Sequence, residues 1–273
     1  MKYALIIGAS SGIGLELARI YTATHRVVTI QRRPCPLADT VSVTADVTVG
    51  TELETALETA LSYGTPSLVV YAAGASMSVP FSKTPDDVAR KLFETNFWGY
   101  VRTLHAVLPR LQEKTRVVVL SSLASVLPIP FDPFYSASKS ALNTFTEALQ
   151  LEYPKIRFLS VLVGGTRTNF TFKRRVSPFS SPFHRSATLT LKSTEQHGLA
   201  PQTVAAGIAL SCDLPLPPLF PTVGFMNHVF KFTARILPAR LRCLLIRFIF
   251  SFSAKKKRLF SSPKKGTLTK VRT

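Results

Sequence analysis

The sequence has few cysteines and few histidines, and each shortage argues against a class of protein. Only three cysteines occur among 273 residues, widely spaced at Cys35, Cys212 and Cys243 and without a CxxC pair. This spacing argues against a disulfide framework or a zinc ribbon and fits a reducing compartment. The five histidines include no pair four residues apart, so no helical metal-binding pair is present and we predict no metal site.

Acidic residues are also scarce, and they are absent from one end. The chain has 34 Lys and Arg against 15 Asp and Glu, and residues 231–273 contain thirteen of the basic residues and no acidic residue. Such a segment favours an anionic surface, either phospholipid or nucleic acid. Nucleic acid is the weaker alternative because no recognition motif accompanies the charge.

Long apolar runs are missing as well. The run Cys243–Phe252 contains Arg247 and falls short of the ~20 residues that a spanning helix needs. Tyr3–Ile7 is too short for the apolar region of a signal peptide. We therefore expect a cytoplasmic protein, with peripheral contact to a membrane as a further possibility.

Short β-branched runs alternate with helical patterns over the first 165 residues. This alternation predicts an α/β fold, in which a doubly wound parallel sheet carries helices on both faces. The predicted strands are Tyr3–Ile7, Arg26–Ile30, Val41–Thr44, Ser67–Tyr71, Arg116–Leu120 and Arg157–Val163, and the predicted helices are Ile13–Thr24, Gly50–Tyr63, Asp86–Leu111, Tyr135–Tyr153 and Pro201–Ser211.

The later sequence divides into three further parts. Residues 166–194 are rich in Ser, Thr, Pro and basic residues, which predicts an irregular substrate lid or an ordinary surface loop. Leu214–Pro221 holds four prolines and cannot form a regular helix. We predict one domain over 1–222 that includes the lid, a helical and membrane-associating segment over 223–253, and a basic, disordered tail over 254–273.

A glycine-rich turn, Gly8–Gly14, joins the first predicted strand to the first predicted helix. Gly8 permits a tight exit from the strand, Gly12 lets backbone approach a pyrophosphate, and Gly14 permits close packing of helix on sheet. The helix N-terminus then offers free N–H groups to phosphate. Because of its position after a strand and before a helix, the turn predicts a Rossmann-like dinucleotide site.

The end of the second strand carries Arg32 and Arg33 instead of an acid. An acid at this point binds the ribose 2′-hydroxyl of NAD, whereas a guanidinium group suits the 2′-phosphate of NADP. The sequence therefore predicts NADP(H) as the cofactor.

Tyr135 and Lys139 lie four residues apart on one face of a predicted helix. An ammonium group beside a phenol lowers the phenol pKa, which moves tyrosine towards acid–base chemistry near neutral pH. Ser122 closes the fifth strand, where its hydroxyl could bind a substrate carbonyl oxygen.

These motifs together resemble the short-chain dehydrogenase/reductase family. The glycine turn, the Tyr135–Lys139 spacing and Ser122, thirteen residues before the tyrosine, match the family pattern, and the resemblance covers residues 1 to about 170. It implies that Asn96 holds a water-linked proton path to the lysine and that Asp46 and Val47 contact adenine.

The resemblance also implies the roles of the site residues. Tyr135 would exchange the proton, Ser122 would polarise the carbonyl, and Lys139 would hold the nicotinamide ribose. The catalytic residues expected are Asn96, Ser122, Tyr135 and Lys139, and those expected to bind cofactor are Gly8, Ser10, Ser11, Gly12, Ile13, Gly14, Arg32, Arg33, Asp46, Val47, Ala73, Gly74, Tyr135, Lys139 and Thr168.

The sequence departs from the family pattern at four places. Ile7 stands where threonine is usual, Tyr71–Gly74 replaces Asn-Asn-Ala-Gly, and Gly164-Gly165 replaces Pro-Gly. No Val-Asp-Gly-Gly strand closes the chain. The proton-transfer residues are unaffected by these changes, which bear instead on the surroundings of the cofactor and on the C-terminal architecture.

The substrate is indicated only in outline. Pro130–Phe134 resembles members that act on steroids, retinoids and other lipids. Phe170, Phe172, Phe179 and Phe183 either cover an apolar substrate or anchor the lid loop. We predict an oxidoreductase acting on a lipophilic ketone or secondary alcohol, and the alternative is a non-catalytic NADPH sensor or scaffold at a membrane surface.

The C-terminal sequence and the oligomeric state leave alternatives open. Lys231–Phe252 mixes apolar and basic residues, Pro238 breaks any single long helix, and Lys255–Arg258 is polybasic. This segment predicts either an interfacial membrane anchor or a helix packed on the core. Resemblance to the family implies a homodimer or homotetramer.

Overall fold

A parallel sheet forms the centre of the protein. The computed structural model describes residues 2–170 and 175–260, with side chains up to residue 251. The main strands are β1 (Lys2–Ile7), β2 (His25–Gln31), β3 (Thr40–Thr44), β4 (Leu68–Tyr71), β6 (Arg116–Leu120) and β7 (Arg157–Val161), and the pair β5 (Met77–Ser78) and β8 (Arg175–Val176) forms a small second sheet.

The six main strands follow the order β3-β2-β1-β4-β6-β7, and every neighbouring pair is parallel. The direction of the strand order reverses between β1 and β4. Doubly wound sheets bind their ligands at such a reversal, outside the carboxyl ends of the strands. The candidate site residues that follow β1, β2, β4 and β6 are therefore gathered at one edge of the sheet.

Helices cover both faces of this sheet. The described helices are α1 (Gly12–Thr22), α2 (Gly50–Leu61), α3 (Asp86–Phe93), α4 (Gly99–Val107), α5 (Pro133–Glu152), α6 (Pro182–Gln196), α7 (Pro201–Asp213), α8 (Phe225–Ile236) and α9 (Ala239–Phe260). Leu57, Leu104 and Leu142 bring α2, α4 and α5 onto one face. Leu17 and Ile208 bring α1 and α7 onto the other face. The predicted fold class is confirmed.

The helix predicted over Asp86–Leu111 is present, but it is not one regular α-helix. Helix α3 ends at Phe93, one π-helical turn occupies Glu94–Trp98, and α4 then begins at Gly99 and ends at Val107. The cause is a contact from the sheet: the Tyr71 hydroxyl donates to the backbone oxygen of Thr95 at 2.6 Å. A widened turn leaves a backbone carbonyl available to such a partner.

The segment 166–194, predicted to be irregular, contains most of α6. Ser181 accepts a hydrogen bond from the His184 N–H at 3.1 Å, and Pro182 occupies the first turn. These two residues are the usual signal for a helix start. The buried residues of α6 are His184, Ser186, Ala187 and Leu191, and because only one of them is a large apolar residue, apolar periodicity did not mark the helix. Phe172, Lys173 and Arg174 lie outside the described residues.

The proline-rich segment after α7 runs along the edge of the sheet. Ser160 N–H donates to the Leu219 oxygen at 2.7 Å, and Leu162 N–H donates to the Pro221 oxygen at 2.8 Å. The Thr222 hydroxyl adds a third bond to Leu162. The prediction that Leu214–Pro221 is not helical is confirmed, and these residues satisfy the outer edge of β7.

The C-terminal helices pack against the body of the protein. Pro238 lies between α8 and α9, so the predicted break is confirmed. Ser186 on α6 donates its hydroxyl to the Phe250 oxygen at 2.6 Å. Helix α9 continues to Phe260, past the predicted boundary at 253, and residues 261–273 of the predicted tail lie outside the described residues. None of the helices described is long and apolar enough to cross a membrane.

Candidate active site

Gly8 and Gly12 of the glycine turn adopt backbone conformations that favour glycine. Gly8 has φ +95°, and its N–H donates to the Ile30 oxygen at 2.8 Å. A Cβ at Gly8 would lie 2.6 Å from Ala73 N, so the chain after β4 touches the turn itself. Gly12 has φ +64°, and a Cβ there would meet Thr168 at 3.4 Å. The turn thus brings Ala73 and Thr168 together beside the start of α1.

This arrangement fits a dinucleotide. Helix α1 begins at Gly12 and its first backbone N–H groups point out of the turn, where a pyrophosphate binds favourably. Ser10, Ser11 and Ile13 line the cavity in front of it. The bare backbone that only glycine permits leaves the space that the pyrophosphate would take.

The ends of β2 and β3 carry the charged groups at the far end of the cavity. Arg32 and Arg33 are exposed, and Arg32 Nη1 lies 3.8 Å from an Asp46 carboxylate oxygen. Partial burial acts to raise the pKa of Asp46. Two hydrogen bonds from Thr48 and the charge of Arg32 outweigh burial and lower that pKa below its usual value. Asp46 is therefore an anion that holds one guanidinium close to the cavity.

Tyr135 and Lys139 project from the first turns of α5. The Lys139 ammonium nitrogen lies 5.8 Å from the centre of the Tyr135 ring and donates to the Leu120 backbone oxygen at 2.6 Å. Lys139 is only 4% exposed. Burial lowers the pKa of Lys139 to about 7. This lysine is therefore poised to gain or lose a proton near neutral pH.

Ser122 follows β6 and is buried. Its backbone is extended, and its hydroxyl oxygen accepts a hydrogen bond from Ala124 N–H at 3.1 Å. Because this bond uses a lone pair, the hydroxyl hydrogen can be donated to another oxygen. The Ser122 hydroxyl can therefore act as a donor, and Ser122 lines the same cavity as Tyr135.

Asn96 occupies the π-helical turn and is fully buried. Its side-chain oxygen accepts from Ala75 N–H at 2.7 Å, and its amide donates to the Ala75 oxygen at 3.0 Å and to Ser138 Oγ at 2.9 Å. Both amide hydrogens are therefore used within the protein. Asn96 therefore links the chain after β4, at Ala75, to α5, the helix that carries Tyr135 and Lys139.

A cavity of about 880 Å³ connects these groups. Every predicted site residue lines it except Asn96, which lies behind the wall. At one end are the glycine turn and the basic residues after β2, and further along are Ser122, Tyr135 and Lys139. The structure thus brings together predicted site residues that lie as much as 160 positions apart in the sequence, from Gly8 to Thr168.

The sequence analysis missed the apolar half of this cavity. Its wall includes residues from α8 and α9, a segment that was predicted as a separate extension. The helical periodicity of that segment was visible, but which protein surface it would contact was not. The residues concerned are Phe230, Thr233, Leu245, Ile246, Ile249 and Phe250.

The predicted lid residues divide between two roles. The Phe170 ring lies 6.1 Å from the Tyr135 ring and lines the cavity. Phe179 and Phe183 instead pack around His184 and Phe131, so they anchor the segment. Two lid cations surround a smaller cavity of about 360 Å³ beside the glycine turn, and these are Arg167 and Lys192.

The fold and the cavity together define a nucleotide-binding α/β protein of the dehydrogenase class. The family model for short chain dehydrogenases matches residues 2–177, which is more than half of the chain. The protein therefore belongs to the short-chain dehydrogenase family, and the family resemblance seen in the sequence is confirmed. It is an oxidoreductase of a family that binds a nicotinamide cofactor.

Two curated relatives illustrate the similarity. The 3-ketodihydrosphingosine reductase of Bacteroides thetaiotaomicron is 29% identical over 262 residues, which cover 90% of this chain and 97% of that protein. The 11-beta-hydroxysteroid dehydrogenase A of Sesamum indicum is 34% identical over 188 residues, which cover 62% of this chain and 54% of that protein. The chain thus spans nearly all of the first relative and about half of the second.

Solved structures share the whole architecture. A short-chain dehydrogenase from Streptomyces avermitilis matches with a TM-score of 0.79 and 27% identity, over 96% of this chain and 98% of that chain. A Burkholderia phymatum protein solved with NAD matches with a TM-score of 0.75 and 18% identity, over 98% of each chain. At that identity the likeness concerns the fold, so the choice between NAD and NADP depends on the residues of this chain.

Proposed function

We propose that this protein is an NADP(H)-dependent oxidoreductase that interconverts a lipophilic ketone and its secondary alcohol. The observation that carries the proposal is the single cavity wall shared by Ser122, Tyr135, Lys139 and the glycine turn. A hydroxyl donor, a phenol and an ammonium group next to a dinucleotide cradle are the groups that carbonyl reduction requires.

The cofactor would be held along the glycine turn and the ends of β2 and β3. Gly12 and the first N–H groups of α1 would bind the pyrophosphate, with Thr168 beside them. Asp46 and Val47 would contact the adenine, while Arg32 and Arg33 would bind the 2′-phosphate that distinguishes NADP(H). When bound, this cofactor supplies the hydride.

Tyr135 would act as the general acid in the direction of reduction. Its hydroxyl would give a proton to the carbonyl oxygen as that oxygen becomes an alkoxide. In the protonated form, Lys139 places a positive charge near the ring and favours the phenolate that remains. Lys139 has one hydrogen bond to Leu120, which leaves two ammonium hydrogens for the hydroxyls of the nicotinamide ribose.

Ser122 and Asn96 would support this proton transfer in different ways. Ser122 would donate its hydroxyl hydrogen to the carbonyl oxygen, which fixes the oxygen and polarises the carbonyl. Asn96 would hold Ala75 and Ser138, and through them the start of α5, in a fixed relation. We assign to its turn the proton path from solvent to Lys139 that the family resemblance implies.

The apolar side of the cavity supports a lipophilic substrate. Beyond Tyr135 the wall includes the apolar side chains of Phe170, Leu191, Ile246 and Phe250, and the polar residues Thr190, Thr194, Glu195 and Asn227 also line it. The two curated relatives carry names that refer to a keto-sphingoid base and to hydroxysteroids, which also are lipids.

For location, we propose a peripheral position at an anionic membrane surface, supported by the acid-free sequence after Asp213. A homodimer or homotetramer stays a prediction.

The test is a panel of lipid ketones and short soluble ketones, with consumption of NADPH as the readout. We expect turnover by the wild type and a loss of kcat of roughly 10²–10⁴-fold in Tyr135→Phe, because the variant lacks the transferable proton. NADPH affinity serves as the control, since the phenyl ring preserves the wall of the cavity. Equal turnover by the variant would refute the assigned chemistry, and tight NADPH binding without turnover of any ketone would favour the sensor or scaffold.

A further inference from the structure

Helices α8 and α9 each expose an apolar stripe to solvent. On α8 four exposed apolar residues recur at spacings of three and four, which places them on one helical face, and Met226 beside Phe225 is exposed as well. On α9 the same pattern recurs, and Leu244 and Phe248 are 63% and 59% exposed. The stripe residues are Phe225, Val229, Phe232 and Ile236 on α8, and Leu241, Leu244, Leu245, Phe248 and Ile249 on α9.

The opposite faces of the same helices close the cavity. Ile246 is buried, Phe230 and Phe250 are half-buried, and all three line the cavity. Leu245 and Ile249 belong to both surfaces, because they line the cavity and are still 38% and 40% exposed. Leu245 and Ile249 therefore connect the apolar wall of the cavity to the exposed stripe of α9.

Positive charge borders this surface. Arg240 and Arg247 are both exposed and lie seven residues apart, so they follow one edge of the α9 stripe. Arg235 is exposed on α8. No Asp or Glu follows Asp213 in the sequence. Apolar side chains flanked by cations are suited to lying at the interface of an anionic bilayer, with the stripe among the acyl chains.

A second copy of this chain is a poorer partner for the same surface. Two such faces in contact would bring Arg235, Arg240 and Arg247 of one copy towards those of the other. Neither copy offers an acidic residue from this segment to neutralise them. Charge complementarity therefore selects an anionic lipid surface as the occupant.

We propose that α8 and α9 form a docking surface for an anionic phospholipid bilayer, and that the lipid substrate passes from the bilayer into the cavity between Leu245 and Ile249. The second part rests on the proposed function, because it concerns the substrate of the same site. Docking itself does not depend on the reaction. A hydrophobic substrate that moves in this way need not leave the membrane for water.

Docking is tested by flotation of the full-length protein with phosphatidylcholine vesicles, with and without phosphatidylserine. We expect strong binding only with phosphatidylserine, and a partition coefficient lower by roughly tenfold or more in the double variant Leu244→Ser/Phe248→Ser. Leu151→Ser is the matched control, since Leu151 is 80% exposed on α5, away from this surface. It should bind like the wild type.

The charge component needs its own variants. Arg235→Gln/Arg240→Gln should weaken binding to phosphatidylserine vesicles by roughly fivefold per charge, and Arg110→Gln should leave it unchanged. Binding that ignores phosphatidylserine, or that survives the stripe variant, overturns the docking surface. The same holds if the wild type binds no vesicle and the stripe variant converts a dimer to a monomer, because the surface would then join two copies.

Passage of substrate is tested with two ketones, one short and soluble and the other long-chain and embedded in the vesicles. We expect the stripe variant to keep the wild-type rate with the soluble ketone and to lose roughly tenfold with the embedded one, in parallel with its partition. Equal loss with both ketones, or with neither, overturns the passage. If the wild type reduces no ketone, both the proposed function and the proposed passage of substrate are refuted. The flotation experiment still tests whether the protein docks on the bilayer.

Discussion

At the residue scale, two effects act in opposite directions on the protonation of Lys139. Burial lowers the pKa of Lys139 to about 7, although the bond to the Leu120 oxygen is one that an ammonium group makes best. Near neutral pH the free protein therefore holds this lysine in both protonation states. A negatively charged ligand in the cavity would favour the ammonium form and raise the pKa.

Because the pKa of Lys139 is low in the free protein and should rise when an anion binds, we predict proton uptake when NADPH binds. Between about pH 7 and the higher pKa of the complex, the complex keeps a proton on Lys139 that the free protein has lost. Uptake of up to about one proton should appear near pH 8 and vanish well below pH 7, where both states are protonated. Titration calorimetry in buffers of different ionisation enthalpy measures it, and Lys139→Met should abolish it. A heat independent of buffer near pH 8 would contradict this account.

A second prediction at this scale concerns Arg32 and the proposed preference for NADP(H). Its guanidinium is exposed and lies near Asp46, so Arg32→Asp replaces an attraction for the 2′-phosphate with repulsion from two carboxylates. We expect the Kd for NADPH to rise roughly tenfold or more and the Kd for NADH to change little. Fluorescence titration with both cofactors measures the ratio. Arg110→Asp is the control for a change of net charge, and an unaltered ratio in Arg32→Asp would refute the assignment.

At the element scale, the π-helical turn depends on Tyr71 of β4 and on Gly99 at the start of α4. Tyr71 on β4 binds the Thr95 oxygen, and a Cβ added to Gly99 would overlap the Tyr71 hydroxyl. The turn in turn presents Asn96 to Ala75 and Ser138. Tyr71, which stands where the family has asparagine, therefore leaves no room for a side chain at position 99.

Gly99→Ala should therefore damage the site from a distance. We expect kcat to fall roughly tenfold, because a small displacement of positioned groups costs that much, and the double variant Tyr71→Phe/Gly99→Ala to recover part of it by removing the hydroxyl. Steady-state kinetics with the best ketone measures both. Gly50→Ala is the control, since the nearest atom to its added Cβ, on Arg102, lies 3.7 Å away. Full activity in Gly99→Ala would show that the turn does not position Asn96.

At the scale of the whole molecule, α8 and α9 belong both to the core and to the surface. Ala234 and Ile246 are buried, Arg242 on α9 donates to the Ala234 oxygen at 2.9 Å, and Arg247 lies over the Phe183 ring at 5.6 Å. The two alternatives left open by the sequence, a membrane anchor and a packed helix, are therefore compatible, because they use opposite faces of the same helices.

Removal of residues 224–273 should destabilise the rest of the protein. The shortened chain loses the buried side of both helices, a loss of about 2–4 kcal/mol, and its Tm should fall by roughly 5–10 °C. Leu244→Ser changes one exposed position and should keep the wild-type Tm. Thermal unfolding followed by circular dichroism compares the three proteins. An unchanged Tm in the shortened chain would show that α8 and α9 do not support the core.

The sequence by itself determined the features that depend on neighbours along the chain. The strand-to-helix position of Gly8–Gly14, the four-residue spacing of Tyr135 and Lys139, and the apolar runs of the six strands were readable because local periodicity sets them. The break at Pro238 was readable for the same reason, since proline lacks the donor that a helix interior needs.

The tertiary structure alone decided the features that join distant parts of the chain. The π-helical turn around Asn96 follows from a hydrogen bond from Tyr71, and α6 contacts α9 through a small polar residue, Ser186, that gives no apolar signal in the sequence. Part of the apolar wall of the cavity comes from α8 and α9, which pack over it from a distant part of the chain. Such contacts depend on which surfaces meet in three dimensions, and no pattern within a short window of sequence specifies that.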